Sequence, residues 1–248
     1  MGLTYCQLTS EQSSELLSFA QGMQRHIDRS DLENPHLGQD AVKLDSMTAL
    51  EFVQREFPAK IATTFTYTLV RALLGVDPEE VSALYLVDFI KSGTGLVNLS
   101  SDTKHGAQYL RNRLIPQIEF TPPLPEPKRI LTQSTKLGYY SKTVLVYSEP
   151  WWRHAGLSGV FSSIYGPISF TRDTCVPEMD QFSLTCFHTG ETGRQWSKLD
   201  AQGRREAVLD QFHNAFGTAV ESIPEPINVI EKEWTKDPPG RKETLTPS

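Results

Sequence analysis

The apolar residues of this 248-residue chain change their period partway along, and that switch constrains the fold more than any motif does. Up to Gly93 they recur every three or four positions, the spacing that gathers them on one face of a helix. Leu16, Ala20, Met23 and Ile27 follow Thr9 and Gln12, a pair able to form a capping box. Residues 28–43 have no period and, with Pro35 and Gly38, read as a loop. A short helix is predicted from Asp45 or Ser46 through Leu50, Val53 and Phe57. Pro58 suits the first turn of the next helix, whose stripe is Ile61, Phe65, Leu69 and Leu73 and whose end is Gly75. Asp77, Pro78 and Glu80 predict the start of one more helix, with Val81, Leu84, Tyr85 and Phe89 on it.

Residues 121–127 hold four prolines, which predicts irregular chain. Beyond them the period shortens. β-rich runs at 143–147, 159–163, 168–171 and 182–187 are separated by turn residues, as in an antiparallel sheet. A helix from Asp200 carries Val208, Phe212, Phe216 and Ala219, and a strand at 227–234 precedes a polar tail, 236–248, expected to be mobile. Helices first, strands later and one late helix predict an α+β fold, mainly an antiparallel sheet backed by helices.

Composition narrows the function. The chain carries 24 basic and 30 acidic residues, a net charge of −6, the wrong sign for a nucleic-acid partner. No apolar run reaches the roughly 18 residues of a membrane span, and the first residues lack the basic and apolar parts of a secretory signal. Cys6, Cys175 and Cys186 are odd in number and far apart, which argues against disulfides or a zinc site and predicts a reducing, cytoplasmic setting. The six histidines show no ligand pairing, so no metal is expected. Gly93-Thr94-Gly95 does not follow a strand, as a dinucleotide fingerprint would. Gly190 and Gly193 lack the lysine and hydroxyl of a phosphate loop, and residues 156–159 lack the spacing of a nucleophile elbow. Residue chemistry alone names no reaction.

Several stretches, in order, carry a resemblance. They are Leu44-Asp45-Ser46-Met47-Thr48, Glu80-Val81-Ser82-Ala83-Leu84-Tyr85, Gly106-Ala107-Gln108, Phe120-Thr121-Pro122-Pro123-Leu124-Pro125, Leu137-Gly138 and Glu149-Pro150-Trp151-Trp152-Arg153. The match fades after Glu231-Lys232-Glu233-Trp234. Together they resemble the flavin-containing monoamine oxidase family. The resemblance implies that residues 44–235 are the family's substrate domain, with a junction near 111–116 where the family inserts flavin-domain sequence, and that 1–43 add a helix and a loop. The family's opening Rossmann segment and its final flavin-binding block have no counterpart here, so no FAD is expected from this chain alone. Amine oxidation moves a hydride to the flavin, and no side chain replaces it.

The resemblance also implies site residues. Lys142 matches a lysine that reaches a water near the flavin; without flavin, it reads first as a solvated strand lysine. Gln108 matches a glutamine beside the substrate, or is a surface glutamine. Phe89, Phe170 and Phe187 match aromatic positions of the substrate cavity, the first two in place of tyrosines, and Leu69, Ala72 and Leu73 match its helical wall. Plain core packing explains them as well, and lost hydroxyls would make any pocket more apolar. Asp88 departs from the family pattern: it either pairs with Lys91 or acts as a new acid or base with its pKa raised by burial. His105 and His188 are proton-exchange candidates, or structural.

Three functions follow as expectations. The first is a substrate domain that binds a small, largely apolar molecule, as in microbial and especially fungal secondary metabolism, and holds it or guides a cyclisation or isomerisation. The second is an amine oxidase whose FAD is held jointly with a partner chain. The third is an inactive remnant. The face a flavin domain would cover is expected to form a homodimer or to be covered by residues 1–43.

Overall fold

A computed structural model describes residues 3–4, 8–93, 95, 123–134, 138–217, 219–233 and 236. Helix α1 (Ser10–Arg29) starts at the expected capping box: Thr9 Oγ1 accepts the Gln12 amide at 3.2 Å, and the Thr9 amide donates to the Gln12 side chain at 3.0 Å. After it come α2 (Ala41–Asp45), α3 (Ala49–Glu56), α4 (Lys60–Leu74) and α5 (Ala83–Ser92).

Two helix starts differ from the sequence pattern. Helix α2 begins inside the stretch expected as loop and is closed by Ser46, expected as a helix start, and α3 opens on a second capping box, Thr48 with Glu51. α5 begins after Ser82 rather than at Asp77, because the chain before it is engaged elsewhere. The Ala49 amide donates to Val81 O at 2.9 Å and the Ala83 amide to Met47 O at 3.0 Å. That pairing outweighs the local cap signal.

The helices share one core. Phe19, Met23 and Ile27 of α1 pack with Phe52 and Val53 of α3, Val70 and Leu73 of α4, and Leu86 and Ile90 of α5. The segment 1–43 therefore contributes its helix to the same core as the helices that follow.

Six strands form one antiparallel sheet in the order β1-β3-β4-β5-β2-β6: β1 (Leu3–Thr4), β2 (Tyr140–Tyr147), β3 (Phe161–Ser162), β4 (Phe170–Asp173), β5 (Phe182–Thr189) and β6 (Asn228–Glu233). With the helices this is the expected α+β fold. Helix α6 (Glu126–Ser134) overturns the irregular reading of 121–127 in part, since Pro127 sits in the first turn, where its missing amide has no partner to lose. Helices α7 (Trp151–His154), α8 (Gly190–Ser197) and α9 (Ala201–Phe216) complete the fold, the last capped by Asp200, which accepts the Gly203 amide at 2.7 Å.

Along β2 burial alternates, as it must where one sheet face meets a core. Leu145 and Tyr147 point into a second core with Leu184 and Cys186 of β5, Trp196 of α8, and Phe212 and Phe216 of α9. Lys142, Val144 and Val146 lie on the other face, half-buried. The two halves meet at Gly75, which closes α4 at φ 70°, a conformation cheap only for glycine. Its carbonyl accepts the Tyr139 amide at 2.7 Å and the Gly190 amide at 3.2 Å. No helix among the described residues is long and apolar enough to cross a membrane.

Candidate functional site

Residues directly opposite in an antiparallel ladder share a face. On the face turned away from α8 and α9, Lys142 stands opposite Phe187 of β5, and Phe187 stands opposite Phe170 of β4. The two rings stack with centroids 4.4 Å apart and planes 14° from parallel. Lys142 Nζ lies 5.0 Å from the Phe187 centroid and the Arg172 guanidinium 5.3 Å from that of Phe170, both within cation–π range. Phe170 is buried, while Phe187 and Lys142 are half-buried. Burial holds the Lys142 ammonium below the usual lysine pKa, because desolvation disfavours the charged form. Across β2 on the other side, the residue opposite Lys142 is Lys232.

Tyr140, on the same face, donates its hydroxyl to the carbonyls of Arg71, at 2.9 Å, and of Ala72. The last turn of α4 is thereby brought to this end of the sheet. Lys142, Phe170 and Phe187 thus come together, and Ala72 adjoins them through Tyr140. Leu69 and Leu73 are buried in the helical core, and Phe89 packs at its margin, 6.1 Å from the Tyr85 ring.

His188 lies on the reverse face, fully buried and stacked on Trp196 at 3.9 Å. Its Nδ1 is 2.9 Å from Pro167 O and its Nε2 2.9 Å from Thr143 Oγ1. A carbonyl only accepts, so Nδ1 carries the proton and Nε2 accepts from the threonine. Burial pushes its pKa down to about 4, leaving a neutral ring with both nitrogens engaged in the core.

Asp88 feels the charge of Lys91, but the described hydrogen bonds of Lys91 go elsewhere. Lys91 Nζ donates to Ile27 O, at 3.0 Å, and to Ser30 O at the end of α1. Asp88 Oδ1 is buried with no hydrogen-bond partner among the described residues. Burial raises its pKa, opposed by the charge of Lys91. His105 and Gln108 lie outside the described residues.

Sequence reasoning missed Tyr140 because the strand was expected to begin at residue 143. The signal was there: Tyr140, Lys142 and Val144 alternate with Ser141 and Thr143. It also missed the role of Asp77. β5 runs through Gly190 straight into α8, a strand–glycine–helix turn of the kind that holds a pyrophosphate on free amides. Here the Gly190 amide is given to Gly75 O, and the Glu191 amide donates to Asp77 Oδ2 at 3.3 Å. Asp77 thus caps the start of α8 from across the fold. Among the described residues no group of three or more His, Cys, Asp or Glu is placed to hold a metal ion. An open depression of about 670 Å³ between α2 and α3, lined by Ser46, Met47, Glu51, Gln54 and Arg55, includes none of the residues above.

Residues 105–240, more than half the chain, match the family model described as flavin containing amine oxidoreductase. The chain is 21% identical over 262 aligned positions to the probable flavin-containing monoamine oxidase A of Dictyostelium discoideum, with 83% of this chain and 57% of that protein covered. Its fold superposes on cyclohexylamine oxidase from Brevibacterium oxydans with a TM-score of 0.73, at 22% identity, over 90% of this chain and 61% of the other. Wild-type putrescine oxidase bound to putrescine gives a TM-score of 0.77 at 18% identity, over 96% of this chain and 64% of that one. The chain therefore spans somewhat under two thirds of the length of these proteins.

Proposed function

The chain belongs to the flavin containing amine oxidoreductase family, and from that premise we propose that it binds a small, largely apolar molecule on the Lys142 face of its sheet and holds it or guides a non-redox step such as cyclisation or isomerisation. An intermediate of microbial secondary metabolism fits this chemistry. The observation that carries the reading is the Phe170–Phe187 stack with a half-buried amine over it, an apolar floor with one polar handle. Positioning a flexible molecule on such a surface lowers a barrier without a cofactor. Native purification with an absorbance spectrum and mass spectrometry of co-purifying molecules tests it. A small apolar molecule and no flavin bands are expected. Stoichiometric flavin overturns the reading.

A second reading is favoured by the family match and by coverage of only 57% of the Dictyostelium relative. In it, a partner chain, which includes a second copy of this one, completes a flavin site and the assembly oxidises amines. Hydrogen peroxide release on mixing with amines and FAD supports this alternative, and its absence across both chains assayed together removes it.

A further inference from the structure

The last turn of α1 faces a cluster of charged side chains far from the sheet. His26 Nδ1 and Asp40 Oδ2 are both buried without a hydrogen-bond partner among the described residues. They lie 3.8 Å apart, outside hydrogen-bond range. Asp40 immediately precedes α2, where an aspartate ordinarily caps the first amides. Its side chain makes no such bond. Its Oδ2 is turned instead to His26 and to Arg29 Nη1, at 3.5 Å. The His26 ring stands edge to face against Phe52 of α3, with centroids 5.0 Å apart. The other charges around it are Lys43 of α2 and Glu56 of α3, paired with each other at 2.8 Å. On α5, Lys91 holds the carbonyls of Ile27 and Ser30, and Asp88 stands one turn before it.

Residues 31–45 are lightly tied to this cluster. Among the described residues, each of their backbone hydrogen bonds closes within residues 31–46. Side chains alone hold them to the rest of the fold: buried Ala41 and Leu44, the Lys43–Glu56 pair, and Asp40 against α1. Segments of that kind open before the molecule as a whole does.

We propose that His26 and Asp40 form a proton-operated clasp on this segment: residues 31–45 stay closed on α1 and α3 while the imidazole is neutral, and open when it is protonated. An imidazolium in the closed position carries a buried N–H with no acceptor within hydrogen-bond range. Burial penalises that cation far more than the neutral ring. The charges of Glu56 and Asp40 oppose the penalty, and those of Lys43 and Arg29 add to it. Burial is the largest of these effects, so the closed state binds the proton more weakly than the open one. Above pH 6.5 neither state is protonated; as pH falls through 6.5 the open state gains the proton first and closure weakens. Opening lets the imidazolium reach water and frees Asp40 to cap α2.

Hydrogen exchange of the full chain at pH 7.5 and pH 5.5, read as protection factors so that the intrinsic pH dependence of exchange divides out, tests the clasp. Protection of residues 31–45 should fall several-fold at pH 5.5, with a ceiling of about ten-fold, the limit one unit below the open-state pKa. His26→Leu fills similar space without titrating, so it should keep the protection at pH 7.5 and abolish the fall. His36, exposed on the same segment, is present in every variant and is thereby controlled for. Asp40→Asn takes away a charge that favours the imidazolium and should deepen the fall. Unchanged or greater protection in acid overturns the proposal, as does a fall that persists in His26→Leu. If that variant is already unprotected at pH 7.5, Asp40→Asn and an NMR titration of the His26 ring decide. A fall no deeper than in wild type, or a ring midpoint at or above 6.5, then overturns the clasp.

Discussion

Asp77 Oδ1 lies 2.6 Å from Arg71 Nε, an ion pair set where the helical half meets the sheet. Arg71 is 4% exposed and also donates Nη1 to Ile164 O at 3.1 Å, while Asp77 accepts the Glu191 amide through its other oxygen. Removing the carboxylate leaves a buried guanidinium uncompensated, a loss that costs about 3 kcal/mol or more. Asp77→Ala should lower the urea midpoint accordingly. A change under about 0.5 kcal/mol, the range of ordinary surface substitutions, would show that the pair does not hold the halves together.

Gly190 and Gly156 make a matched comparison. Both have positive φ, 62° and 72°. A Cβ at Gly156 meets nothing within 4 Å, whereas one at Gly190 lies 2.4 Å from Asp77 Oδ1. Gly156→Ala carries only the left-handed strain of about 1 kcal/mol. Gly190→Ala adds a displaced Asp77 and should cost about 3 kcal/mol in all. Equal thermal shifts for the two variants would refute the placement of Asp77 beneath that turn.

His188 gives the chain a defined acid limit. Its pKa is lowered from 6.5 to about 4 by burial, so the native state binds this proton more weakly than the unfolded chain does. Above pH 6.5 neither state is protonated and the group has no effect. As pH falls from 6.5 toward 4 the unfolded chain gains the proton first, and stability drops by roughly 2–3 kcal/mol. His188→Gln keeps a donor and an acceptor but does not titrate. His26, also lowered by burial, contributes a slope common to both proteins. The gap between wild type and variant, followed by urea unfolding, should therefore shrink from pH 7 to pH 4.5. Parallel pH curves would sink the assignment of a neutral buried ring.

Local signals were legible and long-range ones were not. Thr9 with Gln12, Gly75 and Asp200 act through atoms a few residues away, and each does in the fold what its chemistry predicts. Asp77 carries as good a cap signal as Asp200, yet it serves Arg71 and the β5–α8 turn, 114 positions from Glu191. α8 was hidden because Gly190 and Gly193 depress helix propensity, while Gly193 permits the close approach of Tyr139. The meeting of Lys142 with Phe187 depends on a register between strands 45 positions apart in sequence, since Thr143 pairs with Cys186 and Ser141 with His188 in the same ladder. Family resemblance pointed to both residues. Alternation alone then sends His188 to the face opposite Phe187.

Asp88 is expected to lower stability rather than provide it. Its Oδ1 is buried without a hydrogen-bond partner among the described residues, and the nearby Lys91 is engaged by carbonyls of α1. Burial raises its pKa above the unfolded value of 3.8. The sign follows: at pH well above the raised value the native state carries a charge it holds poorly, and that penalty fades as pH falls through it. Asp88→Asn keeps the shape and removes the charge, so it should stabilise the protein by about 1 kcal/mol at pH 7.5. The gain should shrink toward nothing near pH 4. Denaturant unfolding at the two pH values decides it, because a structural carboxylate gives the reverse, a loss at pH 7.5 that acid erases.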